Sequence, residues 1–329
     1  MDMVKKIQFI KVHRKNNKGC MYTYSPEVLS DKSISTSSHF FHLRDKIEQE
    51  IAKSIVFLGE KNKLRDACEY ALTGGGKRFR PLIVLMIGEA LDQGLCVCEA
   101  ALSVEYFHTA SLIADDLPCM DNDDERRDKP AVHKVYGETI ALLASYALIT
   151  SGFEKIHRNT VSMRESGTSF ASWSDRAGII ALESATHCAG ILGATGGQFL
   201  DLFPPNYNLE TMRKLIYKKT VTLFEVAFVF GWVFGGGDFA KLEIVKRAAY
   251  HLGMAFQIAD DLGDVQQDER NQREMNIVRV VGKERAIHMF EEEMVYFQRY
   301  LKDLHLDTPS FKKMGDMLVQ LSLANSQKL

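Results

Sequence analysis

From His42 to the end of the chain, apolar residues recur every three or four positions, and the alternation that a half-buried strand requires is nearly absent. Leu43, Ile47, Ile51, Ile55 and Leu58 make the first stripe, and similar stripes continue to the C-terminus. Only seven prolines punctuate 329 residues, and they stand where helices should start or stop. Pro81 opens PLIVLMIGEAL, Pro118 halts the run before it, and Pro204 and Pro205 separate one helix from the next. The chain therefore reads as all-α, with roughly ten or more helices of ordinary length. Residues 100–116, 177–202, 223–234 and 248–262 are apolar on more than one face, which places them in the middle of a bundle. No shift of composition marks a second domain after residue 42, so residues 42–329 are expected to form one all-α domain.

A formal net charge of -2 offers no general pull on nucleic acid, and no nucleic-acid partner is expected. Six cysteines show neither a CxxC pair nor zinc-type spacing and read as reduced thiols. The most apolar stretch, residues 223–237, is too short to span a bilayer and carries Glu225, so no transmembrane segment is expected. Residues 1–41 stand apart. Their first forty residues hold seven Lys/Arg against three Asp/Glu and end rich in serine. A poorly ordered cytoplasmic extension is the expectation, with a plastid transit segment as the alternative.

Two acidic clusters carry the chemistry: Asp115, Asp116 and Asp121 in SLIADDLPCMD, and Asp260, Asp261 and Asp264 in FQIADDLGD. Carboxylates crowded at the ends of apolar helices repel one another and lose hydration, so they call for a hard divalent cation with oxygen ligands. Gln257, Asp260 and Asp264, at i, i+3 and i+7, share one side of a helix. For either cluster alone, a solvated acidic helix end is the lesser alternative. Asp115 and Asp121 would diverge on an unbroken helix, but Pro118 lets the loop fold back, and that loop also brings Arg126 and Arg127, whose forks suit phosphate oxygens. Upstream, GGGKRFRP sets Lys77, Arg78 and Arg80 at a helix entrance, a weak anion signal that lacks the spacing of a Walker motif. His108 lies two turns before Asp115 on nearly the same face and reads by itself as a core histidine.

Taken in order, GGGKRFRP, HTASLIADDLPCMDNDDERRDKP, GGQFLDL, KKT and FQIADDLGD resemble the trans-isoprenyl diphosphate synthases, and among them geranylgeranyl diphosphate synthases most. The resemblance covers about residues 43–300. It implies an isoprenoid synthase bundle of antiparallel helices around a deep central cavity, a homodimer, and Mg2+, three ions per site. It also implies a reaction: an allylic diphosphate (dimethylallyl, geranyl or farnesyl) ionises, and isopentenyl diphosphate attacks the cation. On matching positions, Asp115, Asp121 and Asp260 would ligate metal, with Asp116, Asp261 and Asp264 in support. Arg126 and Lys219 would hold the allylic diphosphate; Lys77, Arg80, His108 and Arg127 would hold isopentenyl diphosphate; Thr220 and Gln257 would offer oxygen dipoles to the cation. Gln198 and Asp201 would stand behind the allylic site.

The segment QREMNIVRVVG has Glu274 near the place where the family carries a further lysine, with Arg273 and Arg279 as substitutes, and Ala114 stands where a histidine is common. Product length is expected to follow the α-helix before Asp115. Ser111 and Ala110 are small where shorter-product synthases carry an aromatic, and Phe107, one turn further, is expected to floor the channel, so that replacing it with alanine lengthens the product. The expected product is geranylgeranyl diphosphate; the alternatives are a farnesyl diphosphate synthase or a noncatalytic regulatory subunit. A terpene cyclase fits less well, because both acidic motifs and GGGKRFRP are present.

Overall fold

The computed structural model describes residues 10–11, 23–24, 31–270 and 275–326. Fourteen α-helices are formed among them. The first seven are α1 (Asp31–Ser54), α2 (Lys63–Leu72), α3 (Phe79–Leu91), α4 (Cys98–Asp115), α5 (Val132–Tyr136), α6 (Glu138–Arg164) and α7 (Ser174–Ala189). The rest are α8 (Ala194–Leu202), α9 (Leu209–Ile216), α10 (Thr222–Phe234), α11 (Leu242–Arg270), α12 (Ile277–Val281), α13 (Lys283–Asp303) and α14 (Pro309–Ser326). Among the described residues strand is confined to two antiparallel pairs, Ile10–Lys11 with Thr23–Tyr24 and Glu125–Arg126 with Lys129–Pro130. The all-α expectation holds.

The expected boundary after residue 41 falls inside α1, which starts at Asp31, and Phe40 is already buried in the bundle. The rest of the expected extension, residues 1–9, 12–22 and 25–30, lies outside the described residues. The helix ends are written locally. Asn62 caps α2 by accepting from the backbone N–H groups of Leu64 and Arg65, and Asn208 caps α9 through Thr211.

α10 is the axis of the molecule. Twelve of its residues are buried, and it packs against α3, α4, α7 and α11. This is what a helix apolar all round must do. α4 lies along α6, while α11 is flanked by α13 and α14. The ends of α4 and α11 that carry the acids open toward the same large cavity. Between α9 and α10 the chain does not break but widens into a π-helical turn, Tyr217–Val221. Such turns are rare and cluster at functional sites, and this one holds Lys219 and Thr220.

Residues 169–202 form the one helical run among those described that is long and apolar enough, by length and composition, to cross a membrane. Its α7 has 16 residues and its α8 has 9, separated by the turn at 190–193. Each is shorter than the roughly 20 residues that a single span needs.

Candidate active site

A cavity of about 1410 Å³ enters the bundle between α4 and α11. Asp115 and Asp121 lie on one wall, Asp260 and Asp264 on the other. The first wall is built as Pro118 demands: the helix ends, and the backbone N–H of Asp121 returns to the carbonyl of Asp115 at 2.8 Å. Burial pushes the Asp115 carboxyl up to about 7, with Asp121 adding to the rise and Lys219 opposing it. Burial likewise raises Asp260, against the pull of Lys77 and Arg80.

The second aspartate of each pair is differently employed. Asp116, buried and absent from the cavity wall, is clamped by the Arg126 guanidinium. Asp261 reaches the wall but spends both oxygens on the protein, accepting from Gln257 Nε2 at 2.7 Å and from the Ile277 backbone N–H at 2.8 Å. Burial drives its pKa to about 8 in spite of those bonds. Neighbours on a helix differ by about 100°, so two adjacent aspartates meet different surroundings. Among the described residues no three His, Cys, Asp or Glu side chains gather into a ready-made metal cage.

The two adjacent arginines also diverge. The tight turn between Arg126 and Lys129 holds Arg127 at φ 57° and Asp128 at φ 60°, the double left-handed geometry of a two-residue hairpin. Arg126 turns to Asp116 and Asp123. Arg127 instead donates to the Gly75 carbonyl across the cavity mouth. Gly76 sits at φ 117°, which favours glycine, and a Cβ there would stand 2.8 Å from the Arg127 Cζ and push that side chain aside. Lys77 and Arg80 line the same side, Arg80 with its Cζ 4.5 Å from the Phe224 ring centre and its Nη1 3.4 Å from His108 Nε2. Burial lowers Arg80 to about 10 and, with Arg80 and Arg127 adding repulsion, holds His108 well below its ordinary 6.5.

Lys219 reaches Asp201 and lies 3.8 Å from Asp121, while Gln198 Nε2 donates to Asp121 at 2.9 Å. Gln198 and Asp201 thus brace the first acidic wall. Gly197 makes this possible: a Cβ there would meet the Lys219 backbone nitrogen at 2.4 Å. Thr220 donates its hydroxyl hydrogen to Gln257 Oε1 at 2.6 Å, which leaves the Thr220 oxygen lone pairs for the cavity.

The expected chain-length residues separate. Ser111 lines the cavity, but Phe107 and Ala110 do not. The Phe107 ring packs against Phe153, with ring centres 5.0 Å apart, and lies where a Cβ on Gly152 would touch it. The Ala110 carbonyl accepts from Ser145 of α6. Both belong to the α4–α6 seam. Glu274 and Arg273 lie outside the described residues. Several wall residues escaped the sequence reading: Phe256, Met275, Met317, and Phe40, Phe41 and Arg44 of α1. Phe256 could have been found, since it stands one turn before Asp260 on the same face of α11.

Residues 61–275 match the family model described as polyprenyl synthetase, and the chain belongs to that family. It is 38% identical over 222 residues to geranylgeranyl pyrophosphate synthase 3, chloroplastic, of Arabidopsis thaliana, a match covering 63% of this chain and 57% of the relative. It is 37% identical over 213 residues to heterodimeric geranylgeranyl pyrophosphate synthase large subunit 2 of the same plant, covering 63% of this chain and 54% of the relative. The chain thus spans little more than half the length of these two curated relatives. Among solved structures, an FPP/GFPP synthase from Zymomonas mobilis superposes with a TM-score of 0.71 at 27% identity, over 84% of this chain and 98% of that one.

Proposed function

We propose that this protein joins an allylic diphosphate to isopentenyl diphosphate, releasing pyrophosphate and giving geranylgeranyl diphosphate. The observation that carries the reading is one cavity with two separate sets of cations. Arg126 and Lys219 stand beside the aspartates, and Lys77, Arg80 and Arg127 gather at the glycine-rich entrance. One set per diphosphate is what a two-substrate condensation needs. The relatives named as geranylgeranyl pyrophosphate synthases support the product.

The acidic walls suit magnesium. They offer oxygen donors only, one or two from each side, and Mg2+ is usually held by one or two carboxylates together with substrate phosphates. Asp115 and Asp121 would hold it on one wall and Asp260 and Asp264 on the other; Asp116 and Asp261 would anchor the walls. Bound there, Mg2+, three ions by family likeness, would neutralise the departing diphosphate. Arg126 and Lys219 grip the allylic diphosphate while its C–O bond breaks and the electron pair leaves with pyrophosphate. The Thr220 and Gln257 oxygens face the allylic cation, the double bond of isopentenyl diphosphate attacks it, and a proton is lost to pyrophosphate. Lys77, Arg80, Arg127 and His108 keep the second diphosphate in place.

Incubating purified protein with Mg2+, isopentenyl diphosphate and farnesyl diphosphate should give a C20 product on chromatography. A C15 ceiling from shorter starters would point to a farnesyl diphosphate synthase. No turnover from the chain alone would favour a partner subunit, a reading kept open by the relative named as a heterodimer's large subunit. The chloroplastic names of the relatives favour the plastid address over the cytoplasmic one. A fluorescent protein fused behind residues 1–41 should then collect in plastids, and a diffuse cytosolic signal would reject that address.

A further inference from the structure

We infer that Glu105 is a positioning residue for the isopentenyl diphosphate grip, a buried carboxylate that gathers arginines from two separate segments into one anion site. The inference rests on the two-substrate reading above. Glu105 lies three residues before His108 on α4, lines the cavity, and is 1% exposed. Its Oε1 receives the Nη1 donor of Arg78 and the Thr109 hydroxyl at 3.4 Å, and lies 3.8 Å from the Arg127 guanidinium.

Arg78 is locked. Its side chain is fully buried, and it also donates to Glu48 at 2.8 and 3.2 Å and to the Leu72 carbonyl at 2.6 Å. It therefore acts as a strut that fixes the GGGKR loop to α4. Arg127 comes from the hairpin and ties back to Gly75 of the same loop. Three guanidiniums, Arg78, Arg80 and Arg127, thus converge beside Lys77 in a partly dry corner. Like charges so crowded repel and shed hydration, and an opposite charge at the centre offsets both effects. Burial works against the charge on each arginine, and Glu105 is the first opposing influence for all three.

The carboxylate is not there for its own comfort. Its Oε2 is buried without a hydrogen-bond partner among the described residues, a costly arrangement for a purely structural ion pair. Arg126 and Lys219 lie outside this arrangement, paired with Asp116, Asp123 and Asp201. Loss of the Glu105 charge should therefore loosen one diphosphate grip and spare the other.

The test is Glu105→Gln, which keeps shape and removes charge. Expected are a tenfold or greater rise in KM for isopentenyl diphosphate, a KM for the allylic diphosphate within twofold of the parent, and recovery toward parent values in Glu105→Asp. An unchanged isopentenyl KM, or an equal rise for both substrates as a merely structural role would give, overturns the inference. Should Glu105→Gln fail to fold, Glu48→Gln on the half-exposed partner of Arg78 is read in the same way. Calorimetric titration of isopentenyl diphosphate into parent and variant gives the selectivity even without turnover. A parent that binds but does not condense sinks the enzymatic reading alone, and a parent that does not bind sinks both.

Discussion

Asp115 and Asp260 face each other across the cavity, while Asp116 is turned off the wall and Asp261, at the wall, is tied to the protein, so four aspartates in two DD pairs divide their labour. Asp115→Ala or Asp260→Ala should lower kcat by on the order of 10²–10³ or more, as loss of a preorganised charge contact does, with an unchanged far-UV circular dichroism spectrum. Asp116→Ala should instead cost stability, because it removes the buried partner of the Arg126 guanidinium and leaves it only Asp123. His108 supplies a pH signature. Burial and the nearby arginines keep it neutral when folded, whereas the unfolded chain takes up a proton near 6.5. Its contribution is whole above that pH and is lost as the pH falls below it, because the unfolded state then binds the extra proton. The drop in melting temperature between pH 7.5 and 5.5 should be smaller in His108→Gln than in the parent. Spacing alone set Asp260 with Gln257 and Asp264 on one side of α11, whereas which of Asp115 and Asp116 faces inward depends on where neighbouring helices press. The Arg78–Glu105 pair, 27 residues apart, was equally hidden, because nothing local in either segment announces the other.

The helices themselves were legible, and so were the places where they stop. Apolar spacing marked the buried helices, and Pro118 marked the end of the α4 run. What the pattern could not reveal is how a helix is turned about its own axis. Phe107 and Ser111 both precede Asp115 by whole turns or nearly so, yet the closeness of α4 to α6 at Gly152 draws Phe107 into the seam and leaves Ser111 on the wall. Ser111→Phe should therefore shorten the product by at least one C5 unit on chromatography. Phe107→Ala should change product length little and lower stability by about 3–5 kcal/mol, as truncation of a buried phenylalanine does, measured by denaturant unfolding.

At the scale of the whole molecule, the cavity side is polar and charged, but another face is greasy. Leu142, Leu143, Tyr146 and Ile149 form an exposed stripe on α6, and Ile179 and Leu182 extend it on the neighbouring α7. A second copy of the chain is the occupant we propose, in keeping with the homodimer that the family likeness implies. Light scattering should give twice the chain mass, and Tyr146→Glu should halve it; a parent that is already monomeric would reject the pairing.

Along α4, Glu105, His108, Ser111 and Asp115 follow one another on a single uninterrupted rod. At about 1.5 Å per residue the first and last are about 15 Å apart. On the function proposed above that rod would be a gauge, setting the interval between the corner for one head group and the rim for the other, with the wall for the growing tail between them. Adding or removing one residue would swing everything beyond it by about 100°. New product lengths can thus arise by exchanging side chains along the gauge, whereas recutting it would ruin both ends together.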